Sequence, residues 1–66
     1  MTIVVNGDLA PIPAEATVAA LVAGLTAAER GVAVALNGEV VPRSAWAATG
    51  LTDGDRIEVL TAAQGG

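Results

Sequence analysis

The chain of 66 residues reads as an α+β domain, a mixed sheet of four to five strands with one main helix packed on one face and a flexible C-terminal tail. Three observations predict this. Short β-branched runs recur along the chain, and two of them close on Asn-Gly. A single stretch, from Val18 to Leu25, carries apolar residues at helical spacing. That stretch separates the first pair of strands from the later ones, so the first and last strands can lie side by side in the middle of the sheet.

Thr2-Ile3-Val4-Val5 is a short β-branched run that ends at Asn6-Gly7. Asn-Gly readily takes positive φ at both centres of a type I′ turn, so the chain returns through Asp8 to Ile12 as a hairpin. Pro11 has no N–H to give a ladder, which puts the second strand at a sheet edge. Thr17 is placed to cap a helix, its hydroxyl accepting an orphan backbone N–H. Val18, Leu21, Val22 and Leu25 follow at i, i+3, i+4 and i+7, one apolar stripe over two to three turns. Gly24 weakens a helix by ~1 kcal/mol relative to alanine, which predicts an end close by. Thr26-Ala27-Ala28-Glu29 has the spacing of a capping box and predicts another short turn, ended by Gly31.

Val32 to Leu36 alternates valine and leucine on one face with alanine on the other. A strand apolar on both faces belongs inside a sheet. Asn37-Gly38 repeats the hairpin signal, with Glu39-Val40-Val41 returning and Pro42 closing the strand. Arg43 to Trp46 reads as a crossing turn that sinks the indole. Asp53-Gly54-Asp55 turns the chain into Arg56 to Leu60, where Ile57 and Val59 alternate with Arg56, Glu58 and Leu60.

Composition narrows the function classes. A chain this short buries only about 60% of its unfolded surface and makes one core. Its hydrophobic fraction is 53%, much of it alanine, and its one aromatic is Trp46, so valine, isoleucine, leucine and the indole must supply the volume. Seven acids against three arginines give a net charge of -4 with no basic patch, which argues against nucleic acid and anionic membrane surfaces as partners. No stretch approaches the ~20 apolar residues of a membrane span, and the start lacks the pattern of a signal peptide, so a cytoplasmic protein is expected. Cysteine, histidine and lysine are all absent. Thiolate, imidazole and Schiff-base catalysis go with them, as do disulfides and the usual zinc sites. Asp53 and Asp55 flank a glycine and read as turn acids, not as a catalytic pair.

What remains is the end of the chain, Gln64-Gly65-Gly66. Two residues without a Cβ give the smallest cross-section a backbone can have, so such a tail threads into a narrow cleft and delivers a carboxylate there. Residues 1–61 form the domain and 62–66 the tail, which spans at most ~17 Å when extended at about 3.4 Å per residue. Gly66 carries the carboxylate, Gly65 is expected to be the least replaceable residue after it, and Gln64 enters the cleft behind them. Leu60 and Val41 are candidates for an exposed apolar patch on the uncovered sheet face, with Arg56 and Glu58 beside it on the strand that bears the tail. Trp46 is either core or a docking anchor, with the volume argument favouring core; Arg43 either steers a partner or covers the indole edge.

The run Ala35 to Trp46, with Asn37-Gly38, Val41-Pro42-Arg43 and Trp46 within it, then Asp53-Gly54-Asp55-Arg56-Ile57-Glu58 and the terminal Gly65-Gly66, resembles the ThiS family of sulfur carrier proteins in thiamine biosynthesis. The resemblance spans the chain and implies the ubiquitin-like β-grasp fold. It also implies a function without catalysis by the chain itself. A ubiquitin-activating-type adenylyltransferase spends ATP to convert the Gly66 carboxylate to an acyl-adenylate, and sulfur from a cysteine desulfurase replaces the AMP. The resulting thiocarboxylate donates its sulfur to thiazole synthase. No cofactor is expected on the chain, since ATP belongs to the partner. The small subunit of molybdopterin synthase, another ubiquitin-like sulfur carrier, a ubiquitin-like modifier joined to lysines, and an interaction module whose Gly-Gly has no chemistry are the alternative readings of the same tail.

Overall fold

The computed structural model describes residues 1–28 and 30–62. Five strands form one sheet in the order β2-β1-β5-β3-β4: β1 is Thr2–Val5, β2 Asp8–Pro11, β3 Val32–Leu36, β4 Glu39–Val40 and β5 Arg56–Thr61. β1 and β5 run parallel at the centre, and the remaining pairs are antiparallel. The eight-residue helix α1, Val18–Leu25, covers one face, and a 3-10 helix, η1, Arg43–Ala48, closes the gap beside it. This is the ubiquitin-like β-grasp arrangement.

The expected turns form for the expected reasons. Asn6 and Asn37 hold φ of 49° and 50°, and Gly7 and Gly38 come next at 89° and 88°, the positive pair that a type I′ hairpin demands. β2 is an edge strand, with Pro11 opposite Thr2 on its paired side. Thr17 caps α1, its hydroxyl accepting from Ala20 N at 3.2 Å. The helix stops one residue after Gly24.

Three local features differ from expectation. Val18 and Val22 are buried, but Leu21 is half-buried and Leu25 is 50% exposed, because a helix of barely two turns meets the sheet mainly along one ridge. Thr26 does not open a second helical turn among the described residues. Its hydroxyl accepts from Ala28 N, two residues on, and that local loop competes with helix. The returning strand stops at Val40, and residues 43–48 are a 3-10 helix where the sequence suggests only a turn.

The core lies between the sheet and the two helices: Ile3 and Val5 of β1, Val18 and Val22 of α1, Val34 of β3, Trp46 of η1, Ile57 and Val59 of β5, and Leu51 from the loop. Trp46 is 6% exposed, and its indole N–H donates to the Val41 carbonyl at 2.9 Å, so the ring is both packed and satisfied. Arg43 places its guanidinium 5.1 Å from the ring centroid on the solvent side. The segment before β5 is stitched to the start of α1 by Val18 N to Thr49 O and Leu51 N to Ala16 O, at 2.9 and 3.1 Å.

Candidate functional site: the tail-bearing strand and the free sheet face

β5 is held along both edges. On one side it pairs with β3 from Ile57↔Leu36 to Thr61↔Val32. On the other, β1 covers just its first two residues, Arg56 and Ile57. There the backbone of Asn6 donates to Ile57 O, and the Asn6 side chain takes over: its Oδ1 accepts from Val59 N at 2.9 Å and its Nδ2 donates to Val59 O at 3.2 Å. Asn37 does the same service at the start of the strand, its Oδ1 accepting from Arg56 N and its Nδ2 donating to Asp55 Oδ1. Each Asn-Gly turn thus makes its hairpin and also grips β5.

The turn acids are occupied. Asp53 Oδ1 accepts from Thr2 N at 2.8 Å, and Asp55 Oδ2 accepts from Thr52 N at 2.8 Å. Carboxylates bonded in this way shape the entry to β5 and form no acid-base dyad. Among the described residues no group of acids stands close enough to hold a metal ion. Nor is any helix among them long and apolar enough to cross a membrane.

Arg56, Glu58 and Leu60 point away from α1, alternating with buried Ile57 and Val59. Registers place Ala33 beside Leu60, Ala35 beside Glu58, Val40 beside Ala35, and Val4 between Arg56 and Leu9. The uncovered face therefore carries one arginine and one glutamate ringed by apolar side chains, of which Leu9, Val40 and Leu60 are 77%, 79% and 68% exposed. Val41 is not part of it. It lies beyond Val40 in the same hairpin, where its N–H donates to Val34 O and its half-buried side chain packs on the core. The two-residue Asn37-Gly38 loop sets Ala35 against Val40, so parity alone puts Val40 outward and Val41 inward. The exposed valine is Val40.

Gln64, Gly65 and Gly66 lie outside the described residues; Ala62 is the last residue described before them.

The ThiS family model matches residues 3–66. A crystal structure of the thiamine biosynthesis protein ThiS from Geobacter metallireducens superposes with a TM-score of 0.82 at 38% identity, covering 100% of both chains. A solution structure of a thiamine biosynthesis protein from the same organism gives the same TM-score and identity, covering all of this chain and 88% of that one. A protein named thiazole synthase in Paramagnetospirillum magneticum is 39% identical over 66 residues, all of this chain. The chain spans about a fifth of that relative's length, 20%. With the sheet order, the paired Asn-Gly turns and a match over almost its whole length, the chain belongs to the ThiS family.

Proposed function

We propose that this chain is the sulfur carrier that supplies thiazole formation in thiamine biosynthesis, with residues 1–61 as a rigid handle and 62–66 as the working tail. The observation that carries the reading is the position of β5. It is a central strand, fixed on both edges, and it leads straight into Gln64-Gly65-Gly66 in a chain with no cysteine, histidine or lysine.

The chemistry is dictated by the groups that the chain lacks. A terminal carboxylate has a pKa near 3.5, so it is ionised at pH 7 and inert to nucleophiles. Activation needs ATP, and this sequence offers neither a phosphate-cradling loop nor a lysine to bind it. A ubiquitin-activating-type adenylyltransferase therefore makes the acyl-adenylate at Gly66, sulfur from a cysteine desulfurase displaces AMP, and the thiocarboxylate passes its sulfur to thiazole synthase. The chain is a co-substrate in this sequence and binds no cofactor of its own. Its place of action is the cytoplasm.

A relative named thiazole synthase that contains this chain's counterpart within one polypeptide supports thiazole synthase as the acceptor. Docking falls to the free sheet face, where Leu60 and Val40 supply apolar area and Arg56 and Glu58 supply register. Neither charged side chain has a partner among the described residues.

Intact mass after incubation with ATP, a cysteine desulfurase and the adenylyltransferase tests the reading. The expected change is the replacement of one oxygen by sulfur, abolished by deleting Gly66. A ladder of lysine conjugates would instead identify a modifier. Transfer to the large subunit of molybdopterin synthase, and not to thiazole synthase, would move the chain to the other carrier pathway.

A further inference from the structure

One rung of the sheet lies beyond β5, at Ala62. Ala62 N donates to Gly31 O at 2.6 Å, extending the β3·β5 ladder past Thr61↔Val32. Gly31 holds φ at +71°, a left-handed conformation that turns the chain out of the β3 line. Residue 30 therefore does not continue β3. The same glycine is in close approach to the strand it pairs with. A Cβ on Gly31 would lie 2.9 Å from the Ala62 Cβ, against an ordinary carbon contact of about 3.5 Å. Of the described glycines, Gly31 combines positive φ with such a contact; Gly7, Gly38 and Gly54 have positive φ in open space.

We infer that Gly31 is a positioning residue for the tail: its missing side chain lets Ala62 pair closely across the sheet, and that pairing holds the point from which the following residues leave. On the carrier reading, the four residues that follow, 63–66, reach a partner's active site and span at most ~14 Å if fully extended. With so short a reach, displacing the root by a fraction of an ångström displaces the carboxylate from its attacking position, and misplacement by about 1 Å can cost on the order of a hundredfold in rate. The inference rests on the carrier reading for its consequence in rate, though not for its geometry.

Gly31→Asn is the informative variant. Asparagine tolerates positive φ better than other side chains, so the turn survives while its Cβ crowds Ala62. Sulfur loading with ATP, a cysteine desulfurase and the adenylyltransferase should show kcat lowered about tenfold or more, with the KM for the carrier unchanged because the docking face is untouched. Adding Ala62→Gly removes the atom that is crowded and should restore most of kcat. Amide exchange at residue 62 is the second readout: protected in the wild type, faster in Gly31→Asn, protected again in the double variant. Wild-type kcat in Gly31→Asn, or a loss that Ala62→Gly leaves uncorrected, overturns the inference. If the wild type takes up no sulfur at all, the carrier reading fails instead, and the amide at 62 decides: unchanged protection in Gly31→Asn overturns the assignment, and lost then regained protection upholds it.

Discussion

Asn6 and Asn37 have the same backbone conformation and the same following residue, yet they do not carry equal weight. Both sit at positive φ, where replacing asparagine by alanine costs about 1 kcal/mol in backbone strain. They differ in what their side chains leave behind. Asn6 bonds both the N–H and the C=O of Val59, a buried residue, in partly buried surroundings, so Asn6→Ala strands two polar groups that water reaches poorly. Asn37 bonds Arg56 N and Asp55 Oδ1 at exposed positions, and water can replace it. A stranded buried group costs about 1–3 kcal/mol, so Asn6→Ala should lose about 2–4 kcal/mol and Asn37→Ala about 1–2. Urea unfolding midpoints compare them directly. Equal losses would mean that Val59 finds another partner.

Glycine shows at the level of elements why space alone does not decide a substitution. Gly24 in α1 and Gly38 in the second hairpin both have nothing within 4 Å of where a Cβ would stand. Gly38 holds φ at +88°, and Gly24 has ordinary helical backbone. Gly24→Ala should therefore stabilise the domain by about 0.5–1 kcal/mol through helix propensity and a less disordered unfolded chain. Gly38→Ala should destabilise it by about 1–2 kcal/mol through left-handed strain. Thermal unfolding of the two variants gives opposite shifts if local backbone is the cause, and same-sign shifts refute it. Elements governed by such local rules were legible in the sequence: the two Asn-Gly turns, the Thr17 cap, the edge position of Pro11, and the alternation that buries Ile57 and Val59. Elements governed by distant partners were not. The 3-10 helix at 43–48 exists because the indole must enter the core while its N–H reaches Val41 O, and Leu51 is buried because its loop is bonded to Ala16. Nothing in a local window states either. The site divides in the same way: Leu60 is placed by strand alternation, while separating Val40 from Val41 needed the hairpin register, and the role of Gly31 needed its neighbour across the sheet.

In the molecule as a whole, one face of the sheet packs the core and the other leaves large apolar side chains exposed among the described residues. The core uses Ile3, Val5, Val34, Ile57 and Val59 against α1 and Trp46, and none of the exposed ring of Leu9, Val40 and Leu60 takes part in it. A monomer that leaves large apolar side chains together on one surface marks that surface for a partner. Leu60 is the sharpest probe, since it projects from the strand that bears the tail, two residues before Ala62. Leu60→Ala should change unfolding free energy by no more than about 0.5 kcal/mol, as for other surface positions. Loss of an anchor at an interface costs about 1–2 kcal/mol, so the KM of the adenylyltransferase for the carrier should rise roughly tenfold. The turnover of bound carrier should stay as it was, because Ala62 and Gly31 still set the root of the tail. Leu60→Ala thus moves KM where Gly31→Asn moves kcat, and steady-state loading of both variants with the same enzyme separates docking from delivery. A Leu60→Ala chain loaded at wild-type KM would take the free face out of the interaction and leave the tail to do the binding by itself.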